Sequence, residues 1–253
     1  MKPIPLRPPA AANYPMVCAP LVARNREALL AEAAAVAAKG PDLLEWRVDF
    51  FGDIADSAAV AEVASQIRQL SGLPLLFTRR SAREGGEPIP LDEEGVLALY
   101  LAVCAAGAAD FIDTEMGNDA AHVAALRLAS RNAGIGLFLS FHDFQATPPQ
   151  DMLLQRFMQA QQLGADVAKV AVMPRSMDDV LVLLGATWQA SRQLEIPVVS
   201  MSMGGLGALT RLCGSAFGSA LSFGVGSTAS APGQMPIADL QAGLALLRKA
   251  SGA

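Results

Sequence analysis

The sequence predicts a single (β/α)8 barrel, the TIM-barrel fold. Short apolar runs typical of buried strands alternate with helical segments about eight times, at intervals of about 25–35 residues. Such alternation indicates a parallel sheet with right-handed crossovers, and 253 residues is a usual length for eight such units. A doubly wound open sheet is the alternative, but the segment 20–24 after the first strand lacks the glycine fingerprint common in that fold.

The predicted strands are short, rich in aliphatic residues and bounded by residues that favour turns. Strands of a parallel sheet covered by helices are buried on both faces, so they are apolar throughout rather than alternating. The segment 164–173 shows this pattern, with one lysine among small and apolar residues. The strands are expected at 16–23, 42–51, 73–80, 110–116, 136–144, 166–173, 197–203 and 221–226.

The predicted helices begin near capping residues and end near residues that stop a helix. Asn25 is placed to cap the first helix, and Gly40 and Pro41 follow its end. Gly72 and Gly134 follow the ends of two others. The helices are expected at 25–39, 57–70, 92–106, 119–132, 149–163, 176–194, 206–214 and 236–250.

The composition excludes several classes of protein. The chain is 52% hydrophobic and 17% charged, which supports a sizeable core and argues against disorder. A net charge of −5 argues against a nucleic-acid-binding protein, which would carry a basic stripe. The three cysteines, Cys18, Cys104 and Cys213, suggest neither a disulfide framework nor a metal site, and they fit a reducing cytoplasm.

The chain shows no linker and no shift in composition, so we expect one domain over residues 1–253. A Pro/Ala-rich arm at about 1–15 precedes the first strand and lacks an apolar core of signal-peptide length. No uninterrupted apolar run reaches the roughly 18 residues of a membrane span. We therefore expect no membrane partner.

Charged and polar residues collect near the carboxyl ends of the predicted strands, where a barrel places its chemistry. Glu45, Arg47 and Asp49 alternate with apolar residues in the second strand, so we expect all three to point into the barrel. A structural ion network would explain any one of these charges, since buried charges must be paired. Similar residues near other strands are Arg79, Arg80, Glu84, Asp113, Glu115, Ser140, His142, Asp143, Lys169, Ser200 and Ser202.

Lys169 is the candidate nucleophile. A lysine at its ordinary pKa of about 10.4 is protonated at pH 7 and cannot attack a carbonyl. Apolar surroundings favour the neutral amine, and Lys169 alone among the four lysines lies in a buried strand. A strand-end lysine that reaches water or pairs with a carboxylate is the structural alternative.

His142 is the candidate proton carrier, because it ends the strand next to that of Lys169. An imidazole with a near-neutral pKa can accept and donate a proton. Together with an amine that forms an iminium, it suits chemistry at the carbon next to a carbonyl. The alternative is a histidine that is simply hydrogen-bonded to Asp143. The other histidine, His122, is expected to be solvated on a surface helix.

The last loops of the predicted barrel are candidates for substrate binding. Arg211 follows the seventh strand and is a candidate carboxylate clamp, because a guanidinium binds carboxylates through two parallel hydrogen bonds. The segment 227–234 is small and polar, and its Ser230 and Gln234 can hydrogen-bond substrate hydroxyls. A surface arginine and a flexible loop are the structural alternatives.

Several pieces of the chain, in order, match one known family. They are 45–49 (Glu-Trp-Arg-Val-Asp), 77–81, 84–87 (Glu-Gly-Gly-Glu), 113–115, 140–144 (Ser-Phe-His-Asp-Phe), 168–171, 201–204, Arg211 and 230–234 (Ser-Ala-Pro-Gly-Gln). From about residue 17 to 247, the chain resembles the type I 3-dehydroquinate dehydratases, the Schiff-base class of the shikimate pathway. The resemblance implies a (β/α)8 barrel that dehydrates 3-dehydroquinate to 3-dehydroshikimate.

The resemblance also implies roles for single residues. Lys169 matches the Schiff-base lysine, and His142 matches the general base and acid. Glu84 matches the carboxylate associated with that histidine, and Arg211 matches the arginine that holds the substrate carboxylate. Other matches are to residues that bind the substrate or shape the closed loop: Glu45, Arg47, Arg80, Met203, Ser230 and Gln234.

The resemblance implies no metal and no organic cofactor, because the lysine itself supplies the electron sink. It implies 3-dehydroquinate as the small-molecule partner, a homodimer and a cytoplasmic location. Three positions depart from the usual family pattern, namely Phe141, Arg79 and Ala19. These departures leave the fine substrate contacts open and do not alter the chemistry that the resemblance implies.

Two other functions fit a barrel with a reactive lysine. A class I aldolase also forms a lysine Schiff base, but it cleaves a carbon–carbon bond and usually needs a phosphate site after strands seven and eight. A barrel that binds a small acid without catalysis is the second alternative.

Overall fold

The computed structural model of the protein describes residues 15–251, and these form a (β/α)8 barrel as predicted. Apart from Pro15, the predicted Pro/Ala-rich arm lies outside the described residues. The strands are β1 (Met16–Leu21), β2 (Leu43–Arg47), β3 (Leu75–Thr78), β4 (Phe111–Glu115), β5 (Gly136–Asp143), β6 (Val167–Val172), β7 (Val198–Ser202) and β8 (Leu221–Phe223).

Helices follow the strands and cover the outside of the barrel. They are α1 (Arg26–Ala37), α2 (Ser57–Ser71), α3 (Glu93–Ala105), α4 (Ala120–Ala133), α5 (Gln150–Gln162), α6 (Met177–Gln193), α7 (Gly204–Cys213) and α8 (Ile237–Ser251). Over the part of the chain that the structure describes, none of them combines the length and apolar character that crossing a membrane requires.

The strands are all parallel and hydrogen-bond in sequence order from β7 back to β1, with β8 beyond β1. Within residues 15–251, the seam between β7 and β8 has one isolated bridge, between Val198 and Ser219, in place of a regular ladder. The Ala220 N–H donates to the Val198 carbonyl at 2.8 Å, and the Ser200 N–H donates to Ser219 Oγ at 3.0 Å. These bonds close the barrel where its eighth strand is shortest.

The helix boundaries follow the sequence signals. The Asn25 side chain accepts a hydrogen bond from the Ala28 N–H at the start of α1, and Ser176 and Asp179 form a capping box at the start of α6. Gly72 ends α2 with φ +65°, a left-handed conformation that glycine adopts at little cost.

The second strand is shorter than predicted. It ends at Arg47, and Val48–Phe50 form a short 3-10 turn. The prediction that Glu45, Arg47 and Asp49 share one strand face is therefore wrong for Asp49. In the turn, the Asp49 carboxylate accepts hydrogen bonds from the Arg47 guanidinium at 2.7 and 2.8 Å and from the Arg80 N–H at 3.2 Å, which replace the contacts of a strand position.

The eighth strand also ends early, at Phe223 rather than at 226. The Gly224 N–H still donates to the Cys18 carbonyl of β1 at 2.9 Å, but the backbone then turns, and the Val225 N–H donates to the Met235 carbonyl at 2.8 Å. Residues 224–236, which we call the β8–α8 loop, thereby start and end close together above the barrel.

The core has two parts, one outside and one inside the sheet. The outer part packs strands against helices and includes Trp46 and Phe77, whose rings meet edge to face at 5.6 Å. The inner part fills the barrel at the amino ends of the strands and includes Phe111, Phe138 and Val167. Side chains two and four positions further along the same strands also point inward. Because apolar residues fill the amino end, the polar residues at those positions face the open end of the barrel.

Tyr100 of α3 supports the strand ends that carry Arg80 and Asp113. Its buried hydroxyl donates to the Asp113 carbonyl at 2.5 Å and accepts from the Arg79 N–H at 2.8 Å. One hydroxyl therefore satisfies two backbone groups that β3 and β4 leave without a ladder partner.

We predict that Tyr100→Phe lowers the free energy of unfolding by about 1–3 kcal/mol, because the buried Arg79 N–H loses its acceptor. Urea unfolding followed by circular dichroism measures the change. An unfolding free energy equal to that of the parent would show that water or a shifted backbone satisfies this N–H.

Candidate active site

A pocket of about 450 Å³ opens at the carboxyl ends of the strands. Its walls come from the inward-facing ends of strands, from residues 79–92 between β3 and α3, which we call the β3–α3 segment, and from the β8–α8 loop. The predicted site residues that line it are Glu45, Arg47, Arg80, Glu84, His142, Lys169, Met203, Ser230 and Gln234. The alternation of side chains along the strands, together with the loops at the strand ends, therefore brings these residues into one cavity.

Lys169 projects from β6 into this pocket and is only 4% exposed. The strand is buried on both faces, as expected, but the apolar surroundings expected for the amine are wrong. Lys169 Nζ lies 2.9 Å from Asp113 Oδ2 and 3.5 Å from Glu45 Oε1, and it lies 4.6 Å from the centre of the Phe223 ring. Two carboxylates and one aromatic face thus hold the amine in place.

Asp113 of β4 joins the lysine to Arg80. Its Oδ1 accepts hydrogen bonds from Arg80 Nη2 at 2.8 Å and from Ser140 Oγ at 2.6 Å. Burial opposes the ionised form of Asp113, but the charges of Arg80 and Lys169 outweigh it and lower its pKa to about 2. The Asp113 carboxylate is therefore ionised between two cations at neutral pH.

His142 and Glu84 form the second polar group of the pocket. Glu84 Oε2 lies 2.8 Å from His142 Nδ1 and accepts the His142 backbone N–H at 3.0 Å. Burial, and then the positive charges of Arg80, Lys169 and Arg47, hold the pKa of His142 well below its usual value. An ionised Glu84 fixes the ring hydrogen on Nδ1 and leaves Nε2 as a base.

The pKa of Glu84 is shifted in the opposite direction. Burial and then the charge of Glu115 raise it to about 8, against the opposing effect of Arg80. Because Glu84 and His142 share a hydrogen bond, the pair titrates as a unit. Acidification adds a proton to the pair, and in the protonated pair Nε2 of His142 no longer serves as a base.

Arg47 connects the pocket to the β8–α8 loop. Its guanidinium is held by both oxygens of Asp49, and Nη1 donates to the Ser230 carbonyl at 3.3 Å. Within the loop, the Ser230 N–H donates to Gln234 Oε1 at 2.9 Å, and Gln234 Nε2 donates to Ser230 Oγ at 3.2 Å. These contacts hold Ser230 and Gln234 over the pocket.

Arg211 does not line the pocket but lies buried under the β8–α8 loop. Its guanidinium donates to the Pro232 carbonyl at 3.1 Å and to the Phe223 carbonyl at 3.3 Å. Among the described residues, its buried Nε has no hydrogen-bond partner. Burial lowers the pKa of Arg211 to about 10, so the group keeps its charge at neutral pH.

The three departures from the family pattern lie away from the pocket. Phe141 faces outward, and the Arg156 guanidinium lies 4.8 Å from the centre of its ring. Arg79 Nη2 pairs with Glu93 at 3.3 Å, and Ala19 is buried in the outer core. None of the three lines the pocket, because strand alternation turns them away from the barrel interior.

His122 lies outside the pocket, on α4, where its Nε2 is 3.0 Å from Glu94 Oε1. The expected surface helix is observed, although the imidazole is paired rather than simply solvated. In the part of the chain that the structure describes, no group of three or more His, Cys, Asp or Glu side chains is suited to holding a metal ion.

The sequence reasoning left Asp113 out of the candidate site, although it is the nearest charged neighbour of Lys169. The available signal was the alternation of side chains along a strand, which places Asp113 and Glu115 on the same inward face of β4. Phe144 and Phe223 also line the pocket and were missed as site residues. Aromatic residues at strand ends resemble core residues in a sequence, so no comparable signal marked them.

The fold and the pocket define an enzyme of the (β/α)8-barrel class, with a buried amine and a histidine–glutamate pair opening into one cavity. A family model described as Type I 3-dehydroquinase matches residues 17–251. The chain belongs to the type I 3-dehydroquinase family.

Individual relatives agree with this membership over nearly the full chain. The 3-dehydroquinate dehydratase of Albidiferax ferrireducens is 55% identical over 247 residues, which cover 97% of this chain and 94% of the relative. The crystal structure of 3-dehydroquinate dehydratase from Geobacillus kaustophilus is 48% identical with a TM-score of 0.91, and the match covers 94% of this chain and 92% of that one.

A type I 3-dehydroquinate dehydratase from Clostridium difficile, solved with covalently modified comenic acid, is 36% identical with a TM-score of 0.89. That match covers 93% of each chain. The barrel is therefore shared across relatives of quite different sequence.

We predict that the acid limb of the pH profile of kcat/KM belongs to the Glu84–His142 pair, so that activity falls as pH falls and the pair gains a proton. Glu84→Gln should move this limb to lower pH, because the imidazole then titrates alone at its lowered pKa. Steady-state rates from pH 5 to 9 measure both profiles. An unchanged limb in Glu84→Gln would assign it to another group.

Proposed function

We propose that this protein is a hydro-lyase that converts 3-dehydroquinate to 3-dehydroshikimate through a Schiff base on Lys169. The observation that carries the proposal is the pocket into which both Lys169 and the Glu84–His142 pair open. Membership of the type I 3-dehydroquinase family supports the substrate and the reaction.

Lys169 supplies the electron sink in this proposal. Once deprotonated, its amine adds to the substrate ketone, and loss of water gives an iminium that acidifies the neighbouring C–H bonds. Asp113 and Glu45 hold Nζ at a fixed position, so the amine is oriented before the substrate arrives. The chemistry then needs neither a metal nor an organic cofactor.

His142 carries the proton in the elimination. Its Nε2 removes the C2 proton next to the iminium carbon and then returns a proton to the C1 hydroxyl, which leaves as water. Glu84 holds the ring through Nδ1 at 2.8 Å, which sets the orientation of the base. Hydrolysis of the product iminium restores the free lysine.

Arg211 is proposed to hold the substrate carboxylate. Its buried Nε lacks a partner among the described residues, and its guanidinium already anchors the loop that closes the pocket. The side chains proposed to bind the ring hydroxyls or shape the closed loop are Glu45, Arg47, Arg80, Met203, Ser230 and Gln234.

A class I aldolase and a non-catalytic binding barrel are the competing functions. Incubation of the purified protein with 3-dehydroquinate distinguishes them from a dehydratase, because dehydration creates a conjugated enone with strong ultraviolet absorbance. An aldolase would instead release two carbonyl fragments, and a binding barrel would produce neither signal.

A homodimer and a cytoplasmic location are further proposals that rest on the family resemblance. Large apolar side chains exposed on the helices, including Leu181 on α6 and Leu246 on α8, are available to a second copy of the chain. Sedimentation equilibrium tests the dimer.

We predict that borohydride added with 3-dehydroquinate attaches substrate mass to the peptide that contains Lys169, because hydride reduces the iminium to a secondary amine that does not hydrolyse. Lys169→Ala should abolish both turnover and labelling. Lys249→Ala, a change at an exposed lysine in the last turn of α8, should leave both unchanged. Peptide mass mapping reads the result, and label on another lysine would refute the assignment.

We predict that His142→Ala lowers kcat by about 10²–10⁴-fold or more, the usual contribution of a general base. Borohydride labelling of Lys169 should persist in this variant, because the iminium forms before the C–H bond breaks. His122→Ala is the matched control and should keep full activity, since His122 lies outside the pocket. A nearly fully active His142→Ala enzyme would overturn the assigned role.

A further inference from the structure

Two buried residues outside the pocket lining, Ser81 and Glu115, fix the chain from which Glu84 reaches His142. Glu115 ends β4, and both of its carboxylate oxygens bind the same serine. Oε1 accepts the Ser81 N–H at 2.7 Å, and Oε2 accepts the Ser81 hydroxyl at 2.6 Å. Ser81 and Glu115 are 3% and 1% exposed, so water does not compete for these bonds.

The Ser81 hydroxyl has a direction that its partners determine. Its single hydrogen is donated to Glu115, so the oxygen is left to accept the Glu84 N–H at 3.3 Å. Ser81 is also the capping residue of the 3-10 turn Ala82–Glu84, and its carbonyl accepts the Glu84 N–H at 3.0 Å. The backbone of Glu84 is thus held by the same serine that Glu115 holds.

The glycines after Glu84 leave this turn little room to adjust. Gly85 has φ +83°, and a Cβ atom there would lie 2.3 Å from the Phe144 ring. A Cβ atom on Gly86 would lie 2.0 Å from the Arg80 carbonyl oxygen. The segment therefore packs directly against its neighbours, and a shift of Ser81 must move the Glu84 carboxylate.

From this geometry we infer that Ser81 and Glu115 are positioning residues for the elimination step, which hold Glu84 against His142 Nδ1 and so keep Nε2 free as the base. The inference rests on the proposed function. In this inference, two residues that do not line the pocket control proton transfer rather than substrate binding.

The charge of Glu115 also acts on the Glu84–His142 pair, through the pKa of Glu84. After burial, it is the largest influence that raises the pKa of Glu84, while Arg80 lowers this pKa and Asp113 raises it. Glu115 is held by the Ser81 N–H and hydroxyl, with Arg80 Nη1 at 3.4 Å. Removal of the Glu115 charge should therefore shift the titration of the Glu84–His142 pair to lower pH.

The decisive experiment combines kinetics with nitrogen NMR of Ser81→Ala in the full chain. We expect kcat to fall about tenfold or more, the effect of losing one buried hydrogen bond, while KM changes less than twofold. With 15N-labelled histidine above the acid limb, the parent should show a protonated Nδ1 and an unprotonated Nε2 at His142. Ser81→Ala should shift both signals toward the average of the two tautomers.

The chain offers matched controls for each readout. Ser81→Thr keeps the hydroxyl and should restore most of kcat and the parent tautomer. Ser130→Ala removes another buried serine hydroxyl, one that donates to the Arg127 carbonyl far from the pocket, and should change stability without changing kcat. His122 is the only other histidine of the chain, so His122→Ala assigns the two sets of ring signals.

Glu115→Gln is the second variant, and it carries the same test if Ser81→Ala does not fold. It should lower kcat at constant KM and move the acid limb of kcat/KM to lower pH. Parent-like kcat, acid limb and tautomer in either folded variant would overturn the inference. A rise in KM and a loss of stability alone, with the tautomer unchanged, would reduce both residues to a structural role.

Borohydride labelling separates this inference from the proposed function. If Ser81→Ala still accumulates substrate label on Lys169 while turnover is slow, the lesion lies in proton transfer, as inferred. If the parent enzyme itself neither turns over 3-dehydroquinate nor becomes labelled, the proposed function fails, whereas the tautomer measurement still tests the positioning of His142.

Discussion

The carboxylate of Asp113 is the interaction on which the interior of the pocket depends. It lies between Lys169 Nζ at 2.9 Å and Arg80 Nη2 at 2.8 Å, inside a barrel where none of the three residues is more than 4% exposed. A buried charge without a partner is strongly destabilising, so these ions tolerate burial only as a group. The Asp113 carboxylate thus holds the amine of Lys169 that is proposed to react, and it also compensates the buried charge of Arg80.

Charged residues around the pocket also act in opposite directions on two groups in the same small cavity, the imidazole of His142 and the carboxyl of Glu84. Burial and then the positive charges of Arg80, Lys169 and Arg47 lower the pKa of His142 and keep its imidazole neutral, whereas burial and then the charge of Glu115 favour a proton on Glu84. The protonation of the histidine–glutamate pair is therefore determined by residues on several different strands. A barrel suits this arrangement, because adjacent strand ends place side chains from distant parts of the sequence within hydrogen-bonding distance.

Much of this arrangement follows from two periodicities in the sequence. Strand-helix alternation predicts the barrel, and the period of two along the second strand predicts that Glu45 and Arg47 face inward. The same period turns Phe141 and Arg79 outward, although this consequence was not drawn from the sequence. Periodicity could not reveal the turn at Asp49 or the carboxylates around Lys169. Those features depend on which strand ends meet, and pairing between strands distant in sequence is a tertiary property.

The seam between β7 and β8 has a consequence for how the molecule fluctuates. β8 has three residues, and within residues 15–251 one isolated bridge, between Val198 of β7 and Ser219 just before β8, takes the place of a ladder at this seam. Local opening begins where few backbone bonds must break together, so amide hydrogens at this seam should exchange before those of β4 and β5. The β8–α8 loop follows directly after β8. Opening of this loop would therefore be coupled to local opening of the seam between β7 and β8. The part of the fold that opens most easily would then also control access to the cavity.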